Sequence, residues 1–293
     1  MIRIREPSGC TAQIDPACGG TVGQISLPED LLYTPESASG CETEWFAGRV
    51  LLPFADRIAG GRYRWGETEY ALPLNDPEHG DAIHGFLYRR RMQVGEHTAN
   101  RLVLHNELEG EEGYPWPLAV TVSYRIDPGV FWMSVETRNR GVSSAPLTVG
   151  WHPYFDVDHQ ATLQVRASRY IEADESLRLT GRRPSVSGTV FDFREPRVIG
   201  GEPLDVAVEL DDTDDDPVVI ADSRRVVSIT PAGVFRRIQL FTPPGSRGIA
   251  VEPVSAPGEA FNDPQLGVIE LKPGASAVGS VMIRLDSRRG PAP

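Results

Sequence analysis

Two short segments of the sequence each place one ionisable side chain beside small residues and in front of a proline. The first, residues 149–155, reads VGWHPYF. Because side chains alternate along a strand, His152 shares a face with Thr148 and Gly150, while Trp151 lies on the opposite, apolar face. The proline that follows restricts the backbone of the histidine to extended conformations. This pattern predicts a strand that ends by presenting an imidazole next to open space.

The second segment, residues 248–253, reads GIAVEP and has the same design. Ile249 and Val251 share one face, and Glu252 shares the other with small residues. A carboxylate and an imidazole together can remove one proton and deliver another near neutral pH. The two residues are one hundred positions apart, so their pairing as acid and base is a hypothesis that depends on the fold.

The composition excludes several classes of partner. The chain has 293 residues and a net charge of −12, which is unfavourable for binding nucleic acids or anionic membranes. It contains no run of 18 apolar residues, and its N-terminus has no apolar signal segment. Three cysteines, Cys10, Cys18 and Cys41, form no C-x-x-C pair, so we expect reduced thiols in a cytoplasmic protein and no zinc site.

Alternating apolar and polar residues predict strands along most of the chain. The clearest run is 118–126, LAVTVSYRI, which a DPG turn signal separates from a second run at 131–139. No segment shows a long helical periodicity. We therefore predict an all-β protein with one large antiparallel β-sandwich domain over residues 1–286, followed by a C-terminal tail at 287–293.

Four motifs occur in an order that makes the chain resemble the aldose 1-epimerase (galactose mutarotase) family. The resemblance covers most of the chain, although each motif alone has little specificity. The motifs are LPFADRI at 52–58 with GGRY at 60–63, IHGF at 83–86, WHPYF at 151–155, and VEP at 251–253 with AFN at 260–262. The resemblance implies the galactose mutarotase-like supersandwich fold, with a sugar bound in an open cleft.

The resemblance also implies a reaction: interconversion of the α and β anomers of a free aldose, without a metal or an organic cofactor. Glu252 would be the base that takes the proton from the C1 hydroxyl, and His152 the acid that protonates the ring oxygen. The ring would open to the aldehyde, rotate about C1–C2 and close again. Ionised Glu252 and protonated His152 would give a bell-shaped pH profile.

Three further residues are implied to bind the sugar. His84 and Arg57 would hydrogen-bond sugar oxygens. An aspartate in the acidic run 209–216 would hold sugar hydroxyls, and we choose Asp211 over Asp212, although such a run is more often a solvated loop.

Two positions depart from the family pattern, and several rings have no assigned role. Asp56 stands where many members have asparagine, and Phe86 where a second glycine is common. These departures concern sugar specificity rather than the reaction. We expect the remaining histidines to be surface or packing residues (His79, His97, His105 and His159). The tryptophans outside the motifs should be mostly core, with one or two free to stack on a sugar (Trp45, Trp65, Trp116 and Trp132).

Rival functions remain open. A mutarotase for an anionic sugar, such as a hexose 6-phosphate or a sulfonated hexose, would need extra arginines near the cleft, for which Arg89, Arg90 and Arg91 are candidates. A non-catalytic carbohydrate-binding protein would not need both His152 and Glu252. A glycoside hydrolase would need a second carboxylate. The expected partner is a small-molecule aldose, and the chain is expected to be a monomer or a homodimer.

Overall fold

The computed structural model describes residues 1–33, 41, 44–158, 160–174, 178–200, 203–213, 216–243 and 248–287. No helix in this part of the chain is long and apolar enough to cross a membrane. His159 and the predicted tail, apart from Ser287, lie outside the described residues. The helices are five single 3-10 turns, at Pro16–Cys18, Glu44–Phe46, Ala59–Gly61, Leu87–Arg89 and Pro264–Leu266.

Strands make up most of the remaining structure, and we number them in chain order. They are β1 (Ile2–Arg5), β2 (Thr11–Asp15), β3 (Thr21–Ser26), β4 (Val50–Leu51), β5 (Arg57–Ile58), β6 (Arg62–Trp65), β7 (Thr68–Ala71), β8 (Ala82–Ile83), β9 (Gln93–His97), β10 (Arg101–Leu108), β11 (Leu118–Asp127), β12 (Val130–Asn139), β13 (Ala145–Leu147), β14 (Gly150–Trp151), β15 (Tyr154–Asp156), β16 (Thr162–Val165), β17 (Ala167–Ile171), β18 (Arg197–Val198), β19 (Asp205–Leu210), β20 (Val218–Ala221), β21 (Arg225–Gly233), β22 (Arg237–Phe241), β23 (Gly248–Val254), β24 (Ile269–Leu271) and β25 (Ser276–Ser287).

Two large antiparallel sheets dominate this arrangement. One has nine strands in the order β18-β16-β20-β21-β25-β12-β11-β10-β9. The other has the order β17-β19-β22-β23-β14-β4, and β15 also pairs with β23. The predicted pair of long strands is confirmed, since β11 and β12 are in continuous register from Leu118 opposite Asn139 to Asp127 opposite Val130.

The two sheets face each other across one hydrophobic core. Alternate residues of β11 and β12 enter this core from the nine-stranded sheet, and Ile249 and Val251 of β23 enter it from the seven-stranded sheet. Phe131 and Trp151, one from each sheet, have ring centroids 6.2 Å apart. The predicted all-β antiparallel sandwich is therefore confirmed.

The second face of the seven-stranded sheet does not meet this core. All seven residues of β23 are buried. On the face that points away from the core, Ala250 packs with Ala47 and Tyr154, and Val254 packs with Leu51 and Ala55. This covered face is where the small and polar residues of β19, β22 and β23 come together.

The expectation of three reduced thiols is wrong for two of them. Cys18 and Cys41 form a disulfide, with Cα atoms 5.1 Å apart across a sequence separation of 23, whereas Cys10 is free and buried. The number of cysteines does not reveal this bond, because Cys18 and Cys41 come together only when the chain folds. The acidic run 209–216 is only partly a loop, because Glu209 and Leu210 are the last two residues of β19.

Candidate active site

An open cleft of about 300 Å³ lies on the covered face of the seven-stranded sheet. Four of the five residues predicted for the site line it: Glu252, His152, His84 and Arg57. Its other lining residues are Trp45, Phe46, Asp56, Asn75, Asp76, Pro77, Glu78, His79, Ile83, Tyr154, Asp205, Gln239, Phe241, Val254, Ala256 and Pro257. Among the described residues, no group of three His, Cys, Asp or Glu side chains could hold a metal ion.

Glu252 lies on β23, directly opposite Gln239 of β22. The alternation of GIAVEP is as predicted, since Ile249 and Val251 enter the core while Glu252 faces the cleft. Its side chain is 4% exposed, and one carboxylate oxygen is 3.4 Å from Nε2 of His152. Burial raises the pKa of Glu252 well above its usual value, and the nearby Asp56 and Asp205 raise it further.

His152 follows β14, and backbone hydrogen bonds fix it on both sides. Its N–H donates to the carbonyl of Arg49 at 2.9 Å, and its carbonyl accepts from the N–H of Gly48 at 2.8 Å. Its ring stacks on Tyr154, with centroids 5.0 Å apart and an interplanar angle of 16°. Burial lowers the pKa of His152 to about 3, its own carbonyl acts in the opposite direction, and the charge of Arg57 lowers the pKa further.

These two shifts oppose the charge distribution that the sequence suggested. The protein disfavours both a carboxylate at Glu252 and an imidazolium at His152. Between the two pKa values the pair holds a single proton, and Nε2 of His152 lies 3.4 Å from the carboxylate of Glu252. The geometry thus provides one acid and one base whichever residue carries the proton at rest.

His84 adopts a left-handed backbone conformation, with φ of 63°, which is uncommon outside glycine. Its Nδ1 accepts a hydrogen bond from the N–H of Asp56 at 3.1 Å, and burial lowers its pKa well below the usual value. The neutral ring therefore carries its proton on Nε2 and can donate it. Gly85, with φ of 68°, follows because a Cβ there would lie 2.2 Å from the carbonyl oxygen of Leu52.

Arg57 lies on β5, which pairs with β8 immediately before His84. Its Nε donates to Asp76 at 3.0 Å, and its guanidinium is 3.6 Å from Asp56. The side chain is 25% exposed. One face of the guanidinium is therefore held by carboxylates, and the exposed part can still donate to a ligand.

The structure does not bring Asp211 to the cleft. It lies beyond the end of β19, where its carboxylate accepts a hydrogen bond from the hydroxyl of Ser168 at 2.7 Å. Asp205, at the opposite end of the same strand, lines the cleft instead and accepts from Gln239 at 2.7 Å. Six residues of extended strand separate the two aspartates by about 20 Å. Asp212 is also fully exposed and outside the cleft.

Asp205 carries a sequence signal that could have identified it. In DVAVEL, Val206 and Val208 enter the core, while Asp205 and the small Ala207 share the opposite face. This is the same pattern of small residue beside carboxylate that marked Glu252. The carboxylate of Asp205 is exposed and faces the cleft. The pKa of Asp205 is nevertheless raised to about 6, chiefly because surrounding protein atoms displace part of its hydration.

Aromatic rings complete the cleft on one side. Trp45, Phe46, Tyr154 and Phe241 line it, and the ring centroid of Phe46 is 4.6 Å from that of His84. Of the four tryptophans considered for sugar stacking, Trp45 lines the cleft. The expectation for the histidines needs one change, because His79 also lines the cleft, where its Nδ1 is 3.0 Å from Asp76.

Comparison with known proteins identifies the family of the chain. A family model described as aldose 1-epimerase matches residues 1–284. The chain is 31% identical over 227 residues to the Escherichia coli protein YihR, covering 73% of this chain and 71% of YihR. It is 29% identical over 228 residues to human galactose mutarotase, covering 63% of this chain and 64% of the mutarotase. The chain thus spans just under two thirds of that mutarotase.

Solved structures show the same fold. An aldose epimerase homologue from C. elegans superposes with a TM-score of 0.86 at 19% identity, covering 98% of both chains. The galactose 1-epimerase of Lactobacillus acidophilus gives a TM-score of 0.82 at 18% identity, covering 97% of this chain and 93% of its own. With the family match over nearly the whole sequence, the conclusion is direct: the chain belongs to the aldose 1-epimerase family, a family of isomerases.

Proposed function

We propose that the protein is a mutarotase that interconverts the α and β anomers of a free, uncharged aldose. The observation that carries the proposal is the buried pair of Glu252 and His152, 3.4 Å apart at the cleft. A protein that only binds sugar has no need to bury a carboxylate and an imidazole together, because burial of ionisable groups is costly. Their arrangement suits a reaction in which one proton leaves and another arrives.

The reaction needs only proton transfers and the rotation of one bond. The reactive form of the pair has its one proton on His152. Ionised Glu252 then takes the proton from the C1 hydroxyl while His152 delivers its proton to the ring oxygen, and the C1–O5 bond breaks to give the open-chain aldehyde. Rotation about C1–C2 exposes the other face of the carbonyl. The ring oxygen then attacks that face, returns its proton to His152, and O1 regains a proton from Glu252. Each such proton transfer contributes roughly 10²–10⁴-fold.

Three other side chains are proposed to hold the sugar. Arg57 and the Nε2–H of His84 are donors to sugar oxygens, and Asp205 is an acceptor from sugar hydroxyls in the role that the sequence suggested for Asp211. The exposed part of the Arg57 guanidinium and the cleft-facing side of Asp205 support this assignment. Trp45 is placed to cover an apolar face of the ring.

The charges of the cleft favour an uncharged aldose over an anionic one. Among the described residues that line the cleft, Arg57 is the only arginine or lysine, and Asp56 and Asp76 already offset its charge. Glu78 and Asp205 add further negative charge. A phosphate or sulfonate would therefore enter against a net negative field.

The three arginines considered for an anionic sugar do not line the cleft. Arg89 lies over the ring of Tyr88, with 5.0 Å from its guanidinium carbon to the ring centroid, and Arg90 forms an ion pair with Glu111. Arg91 is exposed elsewhere. None of them is placed to meet the extra charge of such a substrate.

Polarimetry tests the proposal. Freshly dissolved α-D-glucose and α-D-galactose should approach their usual final rotations faster in the presence of the protein, in proportion to its concentration. Glucose 6-phosphate should respond less than glucose, and the difference should shrink as salt screens the cleft charges. Failure to accelerate any neutral aldose would refute the mutarotase proposal. Equal or faster turnover of the phosphorylated sugar would refute the charge argument alone.

A further inference from the structure

An arginine outside the main cleft joins two carboxylates that lie behind the sugar site. The guanidinium of Arg178 donates to both oxygens of Asp81, at 3.0 and 3.1 Å. The same guanidinium is 3.6 Å from the carboxylate of Glu259. Asp81 is 1% exposed and Glu259 is 16% exposed, whereas Arg178 is 38% exposed. We call Arg178, Asp81 and Glu259 the carboxylate clamp.

The carboxylate clamp holds the backbone that follows Arg57. Asp81 accepts a hydrogen bond from the N–H of Gly60 at 2.8 Å, and Glu259 accepts one from the N–H of Ala59 at 2.6 Å. The N–H of Glu259 also donates to the carbonyl of Arg57 at 2.8 Å. Glu259 makes these contacts from a left-handed conformation, with φ of 59°, which is maintained only where surrounding contacts determine it.

The segment needs this support because its own strands are short. Arg57 pairs with Ile83 and Ile58 pairs with Ala82, so each strand has two residues. His84 follows one end of this ladder, beside Arg57. The carboxylate clamp holds the other end, where Ala59 follows Ile58 and Asp81 precedes Ala82. A ladder of two residue pairs cannot by itself fix the position of two side chains that must reach a ligand.

The catalytic pair does not depend on these contacts. Glu252 lies within the seven-stranded sheet, and His152 is bonded to the backbone of Gly48 and Arg49. A loss of the carboxylate clamp should therefore disturb sugar binding more than proton transfer.

We propose that Arg178 is a positioning residue for sugar binding, which holds Arg57 and His84 in place through Asp81 and Glu259. The inference rests on the proposed sugar site. The two guanidinium–carboxylate contacts restrain both carboxylates at once. The forked, planar guanidinium also holds Asp81 through two nitrogens, which an ammonium cannot do.

The test compares Arg178→Met with Arg182→Met. Arg182 is on the same loop, is 74% exposed and pairs with Glu172, so its variant is a matched control for loss of a loop arginine. KM and kcat are measured by polarimetry with α-D-galactose. Kd is measured by calorimetry with 1,5-anhydro-D-galactitol, which has no anomeric hydroxyl and cannot mutarotate. For Arg178→Met we expect KM and Kd to rise about tenfold, with kcat within about threefold of wild type; Arg182→Met should match wild type.

A merely structural role would give a different result. It would lower the melting temperature and the active fraction, and hence the apparent kcat, while leaving KM unchanged. Unchanged KM and Kd in Arg178→Met therefore overturn the proposal, whatever happens to the melting temperature. If that variant does not fold, Arg178→Lys keeps the charge without the fork and should give an intermediate KM; a wild-type KM there overturns the proposal equally.

The outcome also separates this inference from the mutarotase proposal. A wild-type protein that binds 1,5-anhydro-D-galactitol but accelerates no mutarotation refutes the reaction, while the Kd values still test the carboxylate clamp. A wild-type protein that binds neither the analogue nor galactose has no sugar site for the clamp to serve, and both proposals fail.

Discussion

Replacing Glu252 by glutamine should trade activity for stability. The substitution keeps the shape of a side chain that is 4% exposed and 3.4 Å from His152, but it removes the group that accepts the C1 proton. A positioned general base contributes roughly 10²–10⁴-fold. We expect kcat to fall by a factor in that range, with KM nearly unchanged because Arg57, His84 and Asp205 keep their places.

The same substitution should stabilise the protein at neutral and alkaline pH. Burial raises the pKa of Glu252 above its value in the unfolded chain, so folded wild type holds this proton more tightly than unfolded wild type does. Its stability therefore declines as pH rises from the usual glutamate pKa to the raised one, by about 1.4 kcal/mol for each pH unit between them. Glutamine carries no charge and therefore has no such cost. The melting temperature of the variant should exceed that of wild type by about 2–4 °C for each kcal/mol gained in free energy of unfolding.

The assay is polarimetry across several enzyme concentrations, combined with thermal unfolding of wild type and variant at pH 4 and pH 8. The control is Glu270→Gln, because Glu270 is exposed on β24, and it should leave both quantities unchanged. A Glu252→Gln protein that keeps more than about a third of the wild-type kcat would refute the base assignment. The melting temperature of the variant should exceed that of wild type by more at pH 8 than at pH 4. An equal or smaller difference at pH 8 would refute the burial cost.

Three other predictions follow from the site and the fold. The pH profile of kcat/KM should be bell-shaped. Its acid limb should lie below pH 5 because the pKa of His152 is about 3, and its alkaline limb should lie where the pair loses its shared proton. An acid limb between pH 6 and 7 would contradict the lowered pKa of His152. Asp205→Asn should raise KM by about tenfold, whereas Asp211→Asn should match wild type, and the reverse result would restore Asp211 to the sugar site. Reduction of the Cys18–Cys41 disulfide, which joins residues separated by 23 positions, should lower the free energy of unfolding by about 3 kcal/mol. Denaturant unfolding with and without reductant measures this change. In the Cys18→Ser control, reductant should leave the free energy of unfolding unchanged.

Local patterns in the sequence predicted much of the fold and part of the site. The alternation in 118–126 and in GIAVEP specified which side chains share a face, because the pleat of a strand imposes a period of two wherever the strand lies. The motifs placed Glu252, His152, His84 and Arg57 in one cleft. Gly85, beside His84, is required by the close approach of the Leu52 backbone, and Pro153 restricts the backbone of His152 to extended conformations.

Asp211, which the structure does not bring to the cleft, marks the limit of local patterns. Asp205 and Asp211 lie at opposite ends of the same strand, and both are carboxylates near the predicted acidic run. Choosing between them requires knowing which end of β19 lies at the cleft. The register of three strands fixes this, because it sets Asp205 opposite Phe241 of β22 and Gln239 of β22 opposite Glu252 of β23. The disulfide was also missed, since it depends on the approach of Cys41 to Cys18 in the folded chain.

The sequence by itself determined the strand faces and the all-β class, and it singled out Glu252 and His152 as the proposed acid/base pair, because these depend on residue type and short-range patterns. Only the tertiary structure decided that Glu252 and His152 lie 3.4 Å apart, that Asp205 lines the cleft, and that burial favours the neutral forms of both side chains over two opposite charges. Distance, burial and the surrounding charges depend on contacts between residues far apart in the chain, and these contacts set the pKa values on which proton transfer depends.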